Sequence, residues 1–262
     1  MKKHEGKCAL CGKYGSLSFE HIPPECAFNS SGAKPVSTLD LLKKEGAYPW
    51  ETKGIRYKNL QQGMGLFSLC EDCNSLTGAM YGNAYCDFAK KADYLLKSSI
   101  PKDMHTTEFS DVYPLRIIKQ IISMFCSINP TADIDDLRSF VMEKDSVGID
   151  IQKYRVYMCF TNNKVISYNG FMGIINFMKS NTVLVSQIVA YPFSFFLYLN
   201  PEDKQQFEGF DITSFANCSY DDIANIKMPI DIRSTISCVP CDFRTMEQII
   251  EDMDKGKRSG DT

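Results

Sequence analysis

Runs of apolar residues in the second half of the chain predict a β-sheet. Strand-length segments rich in β-branched and aromatic residues recur between residues 154 and 232, separated by turn residues. One of them, Ser180 to Asn200, carries no charged residue but contains Gln187 and Pro192. Because polar residues and a proline interrupt it, we predict two buried strands meeting near Pro192 and no membrane span.

Other apolar positions follow a helical period. This spacing predicts a helix after Asn74 that reaches about residue 99, a second over residues 114–127 and a third over residues 133–144. Residues 16–20 alternate polar and apolar, which predicts a short strand before Pro23. Two helices followed by mainly antiparallel strands are typical of an α+β fold.

We therefore predict two parts and a tail. Residues 1–105 form an N-terminal module with an inserted loop at 27–68, and residues 101–110 act as a linker. Residues 106–255 form a helix-plus-antiparallel-sheet domain of unknown role. Residues 256–262 are expected to be a disordered tail.

Composition and charge exclude several classes of protein. The chain has 262 residues, is 44% hydrophobic and carries a net charge of −3, which excludes intrinsic disorder and a uniformly basic nucleic-acid binder. Residues 1–105 hold 14 Lys+Arg against 11 Asp+Glu, whereas the remainder holds 15 against 21. The N-terminus has no apolar signal segment, so we expect a cytoplasmic protein with no membrane association.

Eleven cysteines offer candidate metal ligands. Their odd number, without an export signal, argues against a disulfide framework. Six of them form three C-x-x-C pairs: Cys8/Cys11, Cys70/Cys73 and Cys238/Cys241. Two such turns can place four thiolates around one Zn²⁺, and the first two pairs predict a structural zinc site. Cys238 and Cys241 lack a partner pair, and unligated thiols are the simpler interpretation.

An acid and a histidine are adjacent in the predicted strand before Pro23. Consecutive strand residues point to opposite faces, so Glu20 could hold a metal while His21 stays free as a base. Taken alone, the pair is better explained as an ordinary surface Glu-His dipeptide.

The order of these motifs resembles the HNH endonucleases, also called His-Me finger or ββα-metal nucleases. The resemblance covers roughly residues 5–95 and joins C-x-x-C, Glu20-His21-Ile22-Pro23-Pro24 and Leu-Cys-x-x-Cys-Asn. It implies an N-terminal ββα-metal module in which His21 is the general base. It also implies that Glu20 and Asn74 bind a catalytic Mg²⁺ or Mn²⁺. The structural zinc would be held by Cys8, Cys11, Cys70 and Cys73.

Many HNH members have a further asparagine that orients the catalytic histidine. Asn59 is the candidate here, although it lies eleven residues before Cys70, farther than is common, and a turn or cap role is the alternative. Basic residues interleave with aromatic ones in the inserted loop, which favours a nucleic-acid contact; a solvated loop is the alternative. These basic residues are Lys43, Lys44, Lys53, Arg56 and Lys58.

The resemblance implies a metal-dependent endonuclease acting on DNA, with RNA as a further substrate class. Nucleases of this kind with an extra domain are often restriction or antiviral defence effectors. The second domain would select substrate, bind a protein partner or form a homo-oligomer. The competing hypothesis is a non-catalytic zinc module that binds nucleic acid or a partner protein, in which Glu20 and His21 are incidental.

Overall fold

A computed structural model describes residues 4–44, 48, 50–57, 59–176, 181–201 and 207–260. The strands of the N-terminal region are β1 (Glu5–Lys7), β2 (Tyr14–Ser16), β3 (Ser18–His21) and β4 (Gly65–Leu69). Those that follow are β5 (Thr106–Val112), β6 (Tyr154–Phe160), β7 (Ser167–Asn176), β8 (Asn181–Ala190), β9 (Phe193–Leu199), β10 (Phe210–Asp211) and β11 (Ala224–Pro229). The α-helices are α1 (Thr38–Leu42), α2 (Glu71–Thr77), α3 (Asn83–Lys97), α4 (Pro114–Ile128), α5 (Asp135–Met142) and α6 (Met246–Gly260). A π-helical turn, Gly78–Gly82, joins α2 to α3, and a 3₁₀ helix spans Thr213–Asn217.

A five-stranded antiparallel sheet dominates the second half of the described chain. Its strand order is β10-β6-β9-β8-β7. The two buried strands predicted on either side of Pro192 are β8 and β9, which pair with each other in register from Leu184↔Leu199 to Ala190↔Phe193. Together with the helices, this sheet gives a mixed helix-and-sheet structure that is compatible with the predicted α+β class.

Helix α4 lies at the centre of the molecule. Thirteen of its fifteen residues are buried, and it contacts α3, α5, β4 and β7. Its apolar residues therefore face both the sheet and the N-terminal region. One buried core extends from Cys8 and Leu69 to Met228, so the boundary predicted at residue 105 does not separate two cores.

Two segments predicted to be irregular are strands. Residues 106–112, most of them in the predicted linker, form β5, which pairs with β11. Residues 65–68 of the predicted loop belong to β4, which pairs with β3. Both strands contain glycine or several small polar residues, so their local sequence favours strand only weakly and pairing across the chain decides their structure.

The C-terminal segment also differs from the prediction. Helix α6 continues to Gly260, although residues 256–262 were expected to be disordered, and residues 261–262 lie outside the described part. None of the helices in the described ranges is long and apolar enough to cross a membrane.

Cys26 and Cys86 form a disulfide, although the odd cysteine count argued against a disulfide framework. Their Cα atoms are 5.7 Å apart and 60 residues separate them in sequence. Neither belongs to a C-x-x-C pair, so counting cysteines could not show that the fold brings them together. The bond ties the turn after Pro24 to helix α3.

Candidate active site and metal centre

Four cysteine thiols converge near the N-terminus. The sulfur atoms of Cys8, Cys11, Cys70 and Cys73 all lie within 4.8 Å of one another, and the Cys11 and Cys70 sulfurs are 3.8 Å apart. Tetrahedral Zn²⁺ with Zn–S bonds of about 2.3 Å requires sulfur separations of about 3.8 Å. The group can therefore hold a metal ion and is compatible with zinc.

Tight turns explain how the two pairs reach this geometry. Gly12 follows the first pair with a φ of +72°, and its N–H donates to the Cys8 carbonyl at 3.0 Å. The Cys70 N–H donates to the Cys8 sulfur at 3.3 Å. Burial raises the pKa of Cys8. Hydrogen bonds from backbone N–H groups, including that of Cys70, outweigh this effect and lower the pKa to about 7. This favours the thiolate that metal binding requires.

The third C-x-x-C pair lies elsewhere. Cys238 and Cys241 are both half-buried, and the Cys241 sulfur is 3.5 Å from the Tyr198 hydroxyl. Within the described ranges, the four N-terminal cysteines are the only group of three or more Cys, His, Asp or Glu side chains placed to hold a metal ion.

A small cleft lies beside the four-cysteine cluster. Strands β3 and β4 pair antiparallel with His21 opposite Gly65, and helix α2 follows β4 directly after Cys70. The cleft measures about 150 Å³. Its lining residues are Phe19, Glu20, His21, Pro24, Glu25, Asn74, Thr77, Gly78 and Gln120. The structure thus brings Glu20, His21 and Asn74 to one place.

Glu20 is a buried carboxylate, and only one of its two oxygen atoms has hydrogen-bond partners. The side chain is only 3% exposed, and its Oε2 accepts hydrogen bonds from Ser68 at 2.9 Å and from Ser127 of α4. Its Oε1 is buried and has no hydrogen-bond partner in the described part of the chain. Burial raises the pKa of Glu20 to about 7, against the opposing effect of the two serines. A cation next to Oε1 would satisfy this group.

His21 is held in one tautomer. Its Nε2 lies 2.6 Å from the carbonyl oxygen of Gln62, and the ring meets Phe19 edge-on at 5.1 Å between centroids. A carbonyl only accepts hydrogen bonds, so Nε2 must carry the proton. In the neutral ring, Nδ1 then keeps a free lone pair and can accept a proton.

Asn74 lies in the first turn of α2, as predicted. Its amide nitrogen donates to Ser18 Oγ and to the Phe19 carbonyl, each at 3.1 Å. Both bonds use the nitrogen, so they fix the amide orientation and leave the side-chain oxygen as an acceptor. With Glu20 it forms the oxygen donor set that a hard divalent ion prefers.

Asn59 does not occupy the predicted position. It is exposed and does not line the cleft. The residue that organises this region is Asn29, which is 2% exposed. Its amide nitrogen donates to the carbonyls of Pro23 at 2.6 Å and Met64 at 2.7 Å, and its oxygen accepts from the Met64 N–H at 2.7 Å. Asn29 therefore joins the segment after His21 to the segment that presents Gln62.

Replacing Asn29 by alanine is expected to destabilise the protein by about 2–3 kcal/mol. The substitution removes one buried and two partly buried hydrogen bonds, worth about 1 kcal/mol each, and leaves the Met64 N–H without its partner. Urea unfolding of the two proteins measures the difference. Asn59→Ala is the matched control, because Asn59 is exposed; equal losses in both variants would contradict the role of Asn29.

The described basic residues of the inserted loop, Lys43, Lys44, Lys53 and Arg56, do not line the cleft. Lys43, Lys53 and Arg56 are exposed. Lys44 turns back and donates to the carbonyls of Glu51 at 3.3 Å and Lys53 at 3.0 Å. Lys58 lies outside the described residues.

Sequence reasoning missed the contribution of α4. Gln120 lines the cleft and Ser127 bonds to Glu20, although both belong to the region predicted to be a separate domain. A signal was present in the sequence: Gln120, Ser123 and Ser127 follow helical spacing inside a helix that is apolar apart from these residues, Arg116 and Lys119. A polar stripe on a helix that is buried all round indicates contact with other polar groups.

Comparison of the chain with protein families, with curated proteins and with solved structures finds no match.

Proposed function

We propose that this chain is a metal-dependent endonuclease that hydrolyses phosphodiester bonds. The observation that carries the proposal is the meeting of Glu20, His21 and Asn74 in one cleft. The resemblance to the HNH endonucleases rests on the same residues. The antiparallel pair of strands β3 and β4 is followed by helix α2, and the four cysteines lie beside them. This arrangement supports the resemblance.

The oxygen atoms of the cleft fit a hard divalent ion. Glu20 Oε1 is buried without a hydrogen-bond partner in the described part of the chain, and the side-chain amide of Asn74 makes both of its hydrogen bonds through the nitrogen. Glu20 and Asn74 would hold Mg²⁺ or Mn²⁺. When bound, such an ion neutralises negative charge that develops on the phosphate and on the leaving oxygen. The four-cysteine site has no vacant position for chemistry once it holds zinc.

His21 acts as the general base. Its Nδ1 takes a proton from the attacking water while Nε2 keeps its hydrogen bond to Gln62. The water oxygen forms a new bond to phosphorus, and the bond from phosphorus to the 3′ oxygen breaks. The departing oxygen takes up a proton from solvent, so the products carry a 5′-phosphate and a 3′-hydroxyl.

DNA is the proposed substrate, with RNA as the other polymer the same chemistry could cut. The exposed basic side chains Lys43, Lys53 and Arg56 support contact with a phosphate backbone. A role in restriction or antiviral defence belongs to the same proposal and rests on the family resemblance alone.

The test is cleavage of plasmid DNA, single-stranded DNA and RNA with Mg²⁺ or Mn²⁺. We expect cutting by the native chain that EDTA abolishes and that His21→Ala reduces at least 100-fold, since general bases contribute about 10²–10⁴-fold. His105→Ala is the matched control because His105 is exposed and does not line the cleft, so it should cut normally.

Equal cutting by the native chain and His21→Ala would contradict the proposal. Binding of nucleic acid without cutting, unchanged in His21→Ala, would instead favour the non-catalytic zinc module.

A further inference from the structure

A second unsatisfied oxygen lies at the cleft and is not used by the mechanism above. Gln120 of α4 is 3% exposed, lines the cleft, and its Oε1 has no hydrogen-bond partner among the described residues. Buried amide oxygens are rarely left without a donor because the desolvation costs about 1–3 kcal/mol. Gln120 therefore requires an explanation.

The surroundings of Gln120 contain few groups that could donate to it. Its Oε1 lies 4.0 Å from the position that a Cβ would take at Gly82, so the amide sits against the π-helical turn. No lysine or arginine lines the cleft. π-Helical turns are frequent at functional sites.

Gln120 belongs to the same polar stripe of α4 that holds Glu20. Ser127, two helical turns further along the helix, donates to Glu20 Oε2, while Glu20 Oε1 has no partner among the described residues. Ser123 Oγ on the same stripe is also buried without a partner, but Ser123 does not line the cleft. Two oxygens without donors thus belong to side chains that line one small cleft. A single cation would satisfy both, and carboxylate and amide oxygens are the donors that Mg²⁺ and Mn²⁺ accept.

We propose that Gln120 is a third protein ligand of the divalent ion, through its amide oxygen, in addition to Glu20 and Asn74. This inference rests on the proposed function. A six-coordinate ion would keep three positions for water and the scissile phosphate. The ion site is then completed by α4, outside the segment that resembles a nuclease.

The test is titration calorimetry of Mn²⁺ into the full chain with its cysteine cluster loaded with zinc. We expect one Mn²⁺ per chain, at least ten-fold weaker binding in Gln120→Met, and binding at least as tight as native in Gln120→Glu, because a carboxylate restores the oxygen and adds charge. Gln152→Met is the matched control, since Gln152 is exposed in a turn, and it should bind Mn²⁺ like the native chain.

Glu20→Gln separates this inference from the proposed function. If Glu20→Gln loses Mn²⁺ binding and both Gln120 variants bind like the native chain, the role of Gln120 is wrong and the nuclease site stands. If the native chain binds no Mn²⁺, or Glu20→Gln binds it normally, the proposed site itself is wrong. If Gln120→Met fails to fold, the Gln120→Glu variant provides the test. The inference is overturned if this variant binds Mn²⁺ with the same affinity and the same pH dependence as the native chain.

Discussion

Removal of metal from the four-cysteine cluster is expected to unfold the N-terminal region. Purified protein should contain one zinc per chain, and a strong chelator or Cys70→Ser should abolish cooperative unfolding of this part. Cys11 and Cys70 are 59 residues apart in sequence, so the metal joins two distant segments. Strands β1 and β2, on either side of the first cysteine pair, have only three residues each. Structural Zn²⁺ contributes about 10 kcal/mol or more of folding free energy in small domains.

Elemental analysis and thermal unfolding followed by circular dichroism measure this effect. Cys218→Ser is the matched control, because Cys218 is a half-buried free cysteine outside the cluster, and it should retain zinc and the native transition. Native protein without zinc, or a transition that chelation leaves unchanged, would show that the cluster has no structural metal.

Loss of the Cys26–Cys86 disulfide is expected to lower the free energy of unfolding by about 4 kcal/mol. The bond closes a loop with a sequence separation of 60, and the chain-entropy relation gives this value for a loop of that length. The serine double variant, Cys26→Ser with Cys86→Ser, should match the native chain measured in reductant. Because the turn it anchors carries Pro24 and Glu25 of the cleft, the site should loosen with it.

Thiol titration of the denatured, chelated protein provides the independent check. Nine free cysteines are expected without reductant, and eleven after reduction. Eleven thiols in the untreated protein would mean that Cys26 and Cys86 are not bonded, and equal unfolding of native and double variant without reductant would lead to the same conclusion.

Features with a strong local signal could be predicted from the sequence. Helix α4 follows from a long periodic apolar pattern, and strands β8 and β9 follow from uncharged, largely apolar runs, which specify structure without help from distant residues. The cysteine pairs were identified as a metal site because a C-x-x-C turn restricts where two thiols can point.

Features that depend on distant parts of the chain could not be predicted. The carbonyl that bonds to His21 belongs to Gln62, and every residue has a carbonyl, so no residue type marks it. Asn29 organises the loop because its side chain bonds to Met64, which is 35 residues away in sequence. Asn59 was predicted to orient His21 only because it precedes the second cysteine pair. The polar face of α4 could be recognised in the sequence, but its partner could not, because Glu20 lies 107 residues before Ser127.

The hydrogen bond from Ser127 to Glu20 has a consequence for how such a protein can change in evolution. A module that is complete in itself can be copied between genes and joined to new partners. Here the serine that holds the acid and the core beneath it belong to the later half of the chain. The two halves must therefore be inherited together, and recombination at residue 105 would separate the acid from its support.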